Sequence, residues 1–386
     1  MLKVVVDATP VDSKPSGVGF YVANLICALD VLQKEENFKL GVVYQPGLKN
    51  WLRGDFSLPE SFKHSSQQYV LPLPVRISDL LLALAFKPSL SYFEKYFGSP
   101  DILHGTNYSV YPCQNSLKVM NIYDLTFIRY PQYINSVVKT YTEKVKRCLQ
   151  WTDLVLTISE SSKKDIIEYL EVDPKKVYVT PLASRYYPNY LSEEIAQNLE
   201  KQTNYDFSKP YLLFVSTIEP RKNINNIITA FDFLKERYKI EHQLILIGKK
   251  GWNYESIFAA IENSPWANQI HHLNYLSNEL VALFYSKADI FVYPSHYEGF
   301  GLPVLEAMTL GAPVVTSNTS SIPEVSGDAA ILINPNDPIQ LAEAILKVIS
   351  DSQLRQELIN KGKARAKLFS WERTAKETLN AYRTII

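Results

Sequence analysis

Short apolar runs rich in Val, Ile, Leu and aromatic residues recur at positions 2–6, 40–44, 102–104, 118–122 and 154–158. They recur again at 211–215, 243–247, 290–293 and 313–316. The runs are continuous rather than alternating, so each strand they predict is covered on both faces. That is the pattern of a parallel sheet. Segments of helical length separate them, notably 224–234, 338–350 and 352–368. Two such sets in one chain predict an α/β protein with two doubly wound, Rossmann-like domains. The polar stretch from Pro188-Asn189-Tyr190 to Ser208-Lys209-Pro210 predicts the boundary. The expected domains are 1–195 and 205–368. Residues 369–386 are expected to form a C-terminal helix, capped by Ser370 and packing back on the N-terminal domain.

Composition narrows the class. A length of 386 residues suits two domains, and 40 basic residues balance 40 acidic ones. Zero net charge argues against a nucleic-acid partner held by bulk electrostatics. Cys27, Cys113 and Cys148 are scattered with no CxxC, as expected in a reducing, cytoplasmic compartment. The first apolar run is too short for a secretion signal and reads as a strand. No run reaches the roughly 18–20 apolar residues of a membrane span. The longest candidate, residues 71–86, is broken by Arg76 and Asp79. It reads as an amphipathic or buried helix, and a peripheral contact with the inner membrane face is the sharper alternative.

The candidate chemistry is concentrated after the run at 290–293. His296-Tyr297-Glu298-Gly299-Phe300-Gly301-Leu302-Pro303 leads into Val304-Leu305-Glu306-Ala307-Met308. A strand, a glycine loop and a helix whose first turn carries Pro303 form a site for a phosphate. The two carboxylates add acceptors for hydroxyls, and a sugar nucleotide has both groups. Glu306 sits among apolar neighbours and needs a partner, because a buried unpaired carboxylate is costly. Glu219-Pro220-Arg221-Lys222-Asn223 follows the run at 211–215, where open α/β sheets bind ligands. Arg221 offers a planar fork for phosphate and Lys222 a mobile charge; a helix-capping pair is the plainer alternative. Ser16-Gly17-Val18-Gly19 lies between a strand and a helix but lacks the third glycine of a dinucleotide fingerprint, Val22 standing there. His104-Gly105-Thr106-Asn107-Tyr108 and Tyr123-Asp124-Leu125-Thr126 follow neighbouring runs as cleft-lining or capping groups. Ser159 or Ser161 reads as an N-cap. No His, Cys or Asp cluster has metal-ligand spacing, and no GxSxG or Walker motif occurs.

Together these blocks resemble the retaining family 4 glycosyltransferases (glycosyl transferases group 1), which have the GT-B fold. The strongest match is Glu298 to Glu306, similar to the family's E-x7-E motif. Ser320-Ser321-Ile322-Pro323-Glu324-Val325, Glu219 to Asn223, Gly248-Lys249-Lys250-Gly251-Trp252 and Ser16 to Gly19 follow in the family's order. The resemblance implies two domains facing a deep cleft, with the N-terminal one on the acceptor side. It implies Glu306 on the ribose, Arg221 and Lys222 on the diphosphate, Glu298 near the transferred sugar, and the amides of Phe300, Gly301 and Leu302 on phosphate or sugar. In the N-terminal domain it implicates Gly17, Gly19, Tyr123 and Asp124. Two departures stand out. The family often has His-Asp where Tyr123-Asp124 stands, and Gly where Ser216 stands.

The implied reaction moves a hexose, of mannose or glucose type, from a nucleotide-diphosphate sugar to a hydroxyl of a glycan or lipid-linked acceptor. GDP-mannose is the first expectation and a UDP-hexose the alternative, with no cofactor and no metal. An epimerase, a phosphorylase and a catalytically silent sugar-nucleotide sensor or scaffold are the competing readings, Tyr123 being the support for the last.

Overall fold

The computed structural model describes residues 1–11, 17–58, 62, 67–75, 77–78, 91–133, 140–203 and 205–386. They form two compact units. The first comprises residues 1–128, 140–182 and 371–386 of those described, and the second residues 129–133 and 183–370.

The first unit holds a seven-stranded sheet in the order β3-β2-β1-β4-β5-β6-β7. The strands are β1 (Leu2–Asp7), β2 (Phe38–Tyr44), β3 (Gln68–Val70), β4 (Ile102–Gly105), β5 (Leu117–Asn121), β6 (Leu154–Thr157) and β7 (Val177–Val179). Every pairing is parallel, with Val4 opposite Leu40 on one side and Ile102 on the other. Val4, Val5 and Val6 are fully buried although they point alternately to opposite faces. Helices therefore cover both faces, as the continuous runs predict. Strand order reverses between β1 and β4, which opens a crevice at their carboxyl ends.

The C-terminal helix Trp371–Arg383 belongs to this unit. Trp371 packs edge-on to Phe20, with ring centres 5.8 Å apart. Behind it runs a buried polar chain. Asn121 Nδ2 donates to the Tyr21 hydroxyl, so Asn121 Oδ1 accepts from His104 Nε2 at 2.6 Å. His104 Nδ1 is left to accept from the Tyr382 hydroxyl at 2.7 Å. Both ring nitrogens are thereby satisfied by the neutral imidazole, and burial holds its pKa down to about 4.

The second unit holds a six-stranded parallel sheet in the order β10-β9-β8-β11-β12-β13. Its strands are β8 (Tyr211–Val215), β9 (Gln243–Ile247), β10 (Ile270–Leu273), β11 (Ile290–Tyr293), β12 (Val314–Ser317) and β13 (Ala330–Ile333). Order reverses between β8 and β11, so the loops after these two strands flank the second crevice. Gly248 follows β9 at φ +155°, where a Cβ would lie 1.8 Å from the Ser216 carbonyl oxygen. Glycine is what lets the β8 and β9 loops approach each other there.

The described structure differs from the sequence expectations in three places. The units divide after Leu182 rather than near residue 195, because Tyr186 packs against Tyr285 and its hydroxyl donates to the Asn278 carbonyl. Residues 129–133 join the second unit because Tyr130 and Arg129 lie on the Tyr297 ring. Gly17 and Gly19 fall inside the first turn of the helix Gly17–Leu32 rather than in a loop before it. Ser16 and the core of the candidate helix at 71–86 lie outside the described residues.

Candidate functional site

The second unit's crevice is built from three loops and one helix. After β8 the chain makes the short turn Pro220–Lys222 and enters the helix Ile224–Tyr238. After β11 it runs through Pro294 to Gly301 into the helix Leu302–Leu310. Gly301 is left-handed at φ +111°, and a Cβ there would meet Ile322 Cδ1 at 2.8 Å. Gly301 carries no side-chain cap, and Pro303 follows in the first turn. The amides of Phe300, Gly301 and Leu302 have no acceptor among the described residues. Three open N–H groups at the positive end of a helix are donors for an anion.

Glu298 lies one turn of chain ahead of these amides. Its Oε1 accepts from Lys222 Nζ at 2.6 Å, Ser295 Oγ at 2.6 Å and Tyr293 Oη at 3.0 Å. Its Oε2 faces Arg221 Nη1 at 3.3 Å. Burial alone would push this carboxyl up, but Lys222 and then Arg221 outweigh burial and hold it down at about 2. Burial, seconded by Arg221, holds the Lys222 ammonium below its usual range. Arg221 is pinned on its other side, donating to the Tyr297 carbonyl at 2.6 Å and to Glu219 Oε1 at 2.8 Å. The loop itself is fastened by Ser320, which accepts from the Glu298 amide, and by Ser321, which donates to the Glu298 and Phe300 carbonyls.

Glu306 is one turn inside the helix and 2% exposed. It does not join the Glu298 cluster. Its Oε1 accepts from Arg185 Nε at 2.6 Å and its Oε2 from the Tyr285 hydroxyl at 3.4 Å. Burial raises its pKa, and Arg185 is the main opposing influence. The structure thus gathers Arg221, Lys222 and Glu298 with the open amides of Phe300, Gly301 and Leu302, and places Glu306 in a second polar pocket on the same helix.

Sequence reasoning did not single out Arg185, Tyr293, Ser295 or Tyr285. Tyr293 carried the one available signal, a polar head at the end of a buried run. Arg185 gave none, being a lone cation in a polar connection.

In the first unit, Gly17 starts its helix with open space around its Cα, and Gly19 is buried in the next positions. Asp124 is half-buried and its Oδ1 accepts from the Thr126 amide at 2.9 Å. Tyr123 is buried, donates its hydroxyl to the Thr106 carbonyl and stacks edge-on to Tyr21 and Tyr108. Its hydroxyl therefore serves the unit's own backbone. A cavity of about 250 Å³ opens at the carboxyl ends of β1, β2 and β4, lined by Asp7, Thr9, Gln45, Asn107, Tyr111 and Lys144 among others.

Comparison with known proteins adds four findings. Residues 195–365 match the family model described as Glycosyl transferases group 1. The chain is 31% identical over 391 residues to O-antigen chain mannosyltransferase B of Escherichia coli, covering 100% of each. It is 27% identical over 293 residues to O-antigen chain mannosyltransferase RfbU of Salmonella typhimurium, covering 72% of this chain and 76% of that one. Among solved structures, it is similar to a sucrose-phosphate synthase from Thermosynechococcus elongatus, with a TM-score of 0.74 over 100% of this chain and 99% of that one at 20% identity.

Proposed function

The chain belongs to the glycosyl transferases group 1 family, with the GT-B fold, and from that premise we propose that it transfers mannose from GDP-mannose to a hydroxyl of a glycan or lipid-linked acceptor, with retention of configuration and without a metal. Two relatives that align over most of this chain are named O-antigen chain mannosyltransferases, which favours mannose over a UDP-hexose.

The observation that supports the reading best is the trio of open amides beside a carboxylate held by two cations. In the proposed complex the diphosphate lies against the amides of Phe300, Gly301 and Leu302. Lys222 has three N–H donors and commits two, to Tyr293 and Glu298, so one remains for the incoming phosphate. Arg221 adds charge beside it. As the glycosidic bond breaks, negative charge grows on the leaving diphosphate, and such preorganised donors contribute roughly 3–4 kcal/mol each in comparable sites. The sugar becomes oxocarbenium-like, and ionised Glu298 stabilises it. Glu306 takes the ribose hydroxyls. The acceptor hydroxyl attacks from the face the diphosphate leaves, giving up its proton to a phosphate oxygen.

Calorimetry with GDP-mannose, UDP-glucose and the free nucleotides tests the donor. GDP-mannose should bind most tightly, and Arg221→Ala and Glu306→Ala should each weaken binding at least tenfold while the protein stays folded. Binding of no nucleotide sugar to the wild type would sink the reading. Turnover with candidate acceptors, read by the anomeric configuration of the product, tests retention.

A cytoplasmic enzyme touching the inner membrane face is part of the proposal. Leu48, Leu52 and Phe56 are exposed beside Lys49 and Arg53 in the first unit, a mixture that suits an anionic lipid surface. Co-sedimentation with vesicles containing anionic lipid, lost in Leu52→Glu, is the expected outcome.

A further inference from the structure

Glu306 draws its partners from two elements, the connection that follows β7 and the helix Asn278–Lys287. The connection supplies Arg185, whose Nε reaches Oε1 at 2.6 Å. The helix supplies the Tyr285 hydroxyl at 3.4 Å from Oε2. Arg185 is itself braced. Its Nη1 donates to Asn278 Oδ1 at 3.2 Å, its guanidinium lies 5.9 Å from the Tyr186 ring centre, and the Tyr186 hydroxyl donates to the Asn278 carbonyl at 3.1 Å. The Arg185 side chain is one-third exposed, so this pocket has an open side.

A carboxylate presents about four lone-pair positions. Arg185 and Tyr285 occupy one on each oxygen, which leaves one more on each. Two neighbouring acceptors suit two neighbouring hydroxyls. A neutral carboxyl would present a proton in place of one acceptor and lose that match. Building on the assignment of ribose to Glu306, we infer that Arg185 is a positioning residue that keeps Glu306 ionised and aimed, with one acceptor free on each oxygen for a vicinal diol.

The groups that face this pocket are few. Arg185 and Tyr186 come from the connection and Tyr285 from the helix Asn278–Lys287. Glu279 on that helix acts on Tyr186 and Tyr190. Lys363, on the packed helix Ser352–Ala366, stands at Gly311, past the far end of the Glu306 helix. Burial raises both Tyr186 and Tyr285, so they stay protonated through the neutral range. Arg185 is the cation in contact with Glu306 among the described residues. Without it, burial drives the carboxyl further toward its neutral form.

The test is GDP and UDP binding by calorimetry from pH 5.5 to 8.5, with 2′-deoxy nucleotides alongside. In the wild type, the affinity for the preferred nucleotide should change by less than about threefold across the range, and removing the 2′-hydroxyl should weaken it. In Arg185→Gln, binding should fall at least tenfold at pH 6 and recover as pH rises, since a tenfold change corresponds to one pKa unit at Glu306. At pH 6 this variant should no longer distinguish the deoxy nucleotide. Arg185→Lys should restore most of the affinity and the flat profile. If Arg185→Gln binds as tightly as the wild type, or is weakened equally at every pH with its 2′-hydroxyl preference intact, the positioning role is wrong. If the wild type itself ignores the 2′-hydroxyl, the ribose assignment fails whatever Arg185 does.

Discussion

A carboxylate that accepts from Lys222, Tyr293 and Ser295 and faces Arg221 is a fixed negative charge. Held at about 2, Glu298 is ionised near neutrality, so it cannot serve as a general acid there. Its depressed value also sets a sign. The stability it contributes is complete above its ordinary range near 4.5 and is lost as pH falls toward 2. An acid limb in turnover between pH 5 and 7 would therefore have another source. Glu298→Gln should leave the buried Lys222 ammonium without its carboxylate while Arg221 keeps Glu219, costing about 3–5 kcal/mol of stability by thermal or denaturant unfolding. The motif that holds Glu298 was legible because its residues are contiguous and chemically unusual. Arg221 and Lys222 were legible as a pair of cations after a strand. The pairing of Glu306 with Arg185 was not, because Arg185 is 121 residues away and carries no local pattern.

Among elements, the strands that escape the apolar pattern are β3, β7, β10 and β13, and these are the four edges of the two sheets. An edge strand has one side open, so its side chains are only partly buried. β13 shows this, with Ala330, Ile331 and Leu332 all half-exposed, and so does β10, where His271 and His272 interrupt the run. Central strands are read from burial, and burial is what edges lack. Helix starts were more legible, because a cap is a local event. Ser159 accepts from the Ser162 amide at 3.0 Å, so Ser159→Ala should cost about 1 kcal/mol in chemical denaturation. Gly301 is a harder constraint. Gly301→Ala must hold a left-handed residue against Ile322, and should lower both the melting temperature and the affinity for the nucleotide sugar, since it displaces the three open amides.

At the scale of the molecule, the first unit is discontinuous. Its sheet is completed by a helix from the other end of the chain, and the polar chain from Tyr21 through Asn121 and His104 to Tyr382 fastens the two. His104 has a depressed value, so the unfolded chain binds its proton first as pH falls. Stability should be full above about 6.5, decline toward about 4, and stop declining below it. The gap corresponds to about 3 kcal/mol. Melting curves across this window should show the loss, and Tyr382→Phe, which leaves His104 Nδ1 without a donor, should lower stability at pH 7 by about 1–3 kcal/mol. The two-sheet architecture was legible in the sequence because each set of buried runs repeats it. The division after Leu182 was not, because it depends on where Tyr186 and its neighbours pack rather than on composition.

The closing helix also bears on how the chain is made. Synthesis delivers β1 to β7 before the second unit, but the residues from Trp371 onward that cover Tyr21 and satisfy His104 are made only after it. The second unit, continuous but for residues 129–133, has all its strands available before then. Although domains commonly fold in the order they are translated, here the unit that is started before the other is finished after it, and until Tyr382 emerges its apolar helix face stands open to whatever else is in the cell.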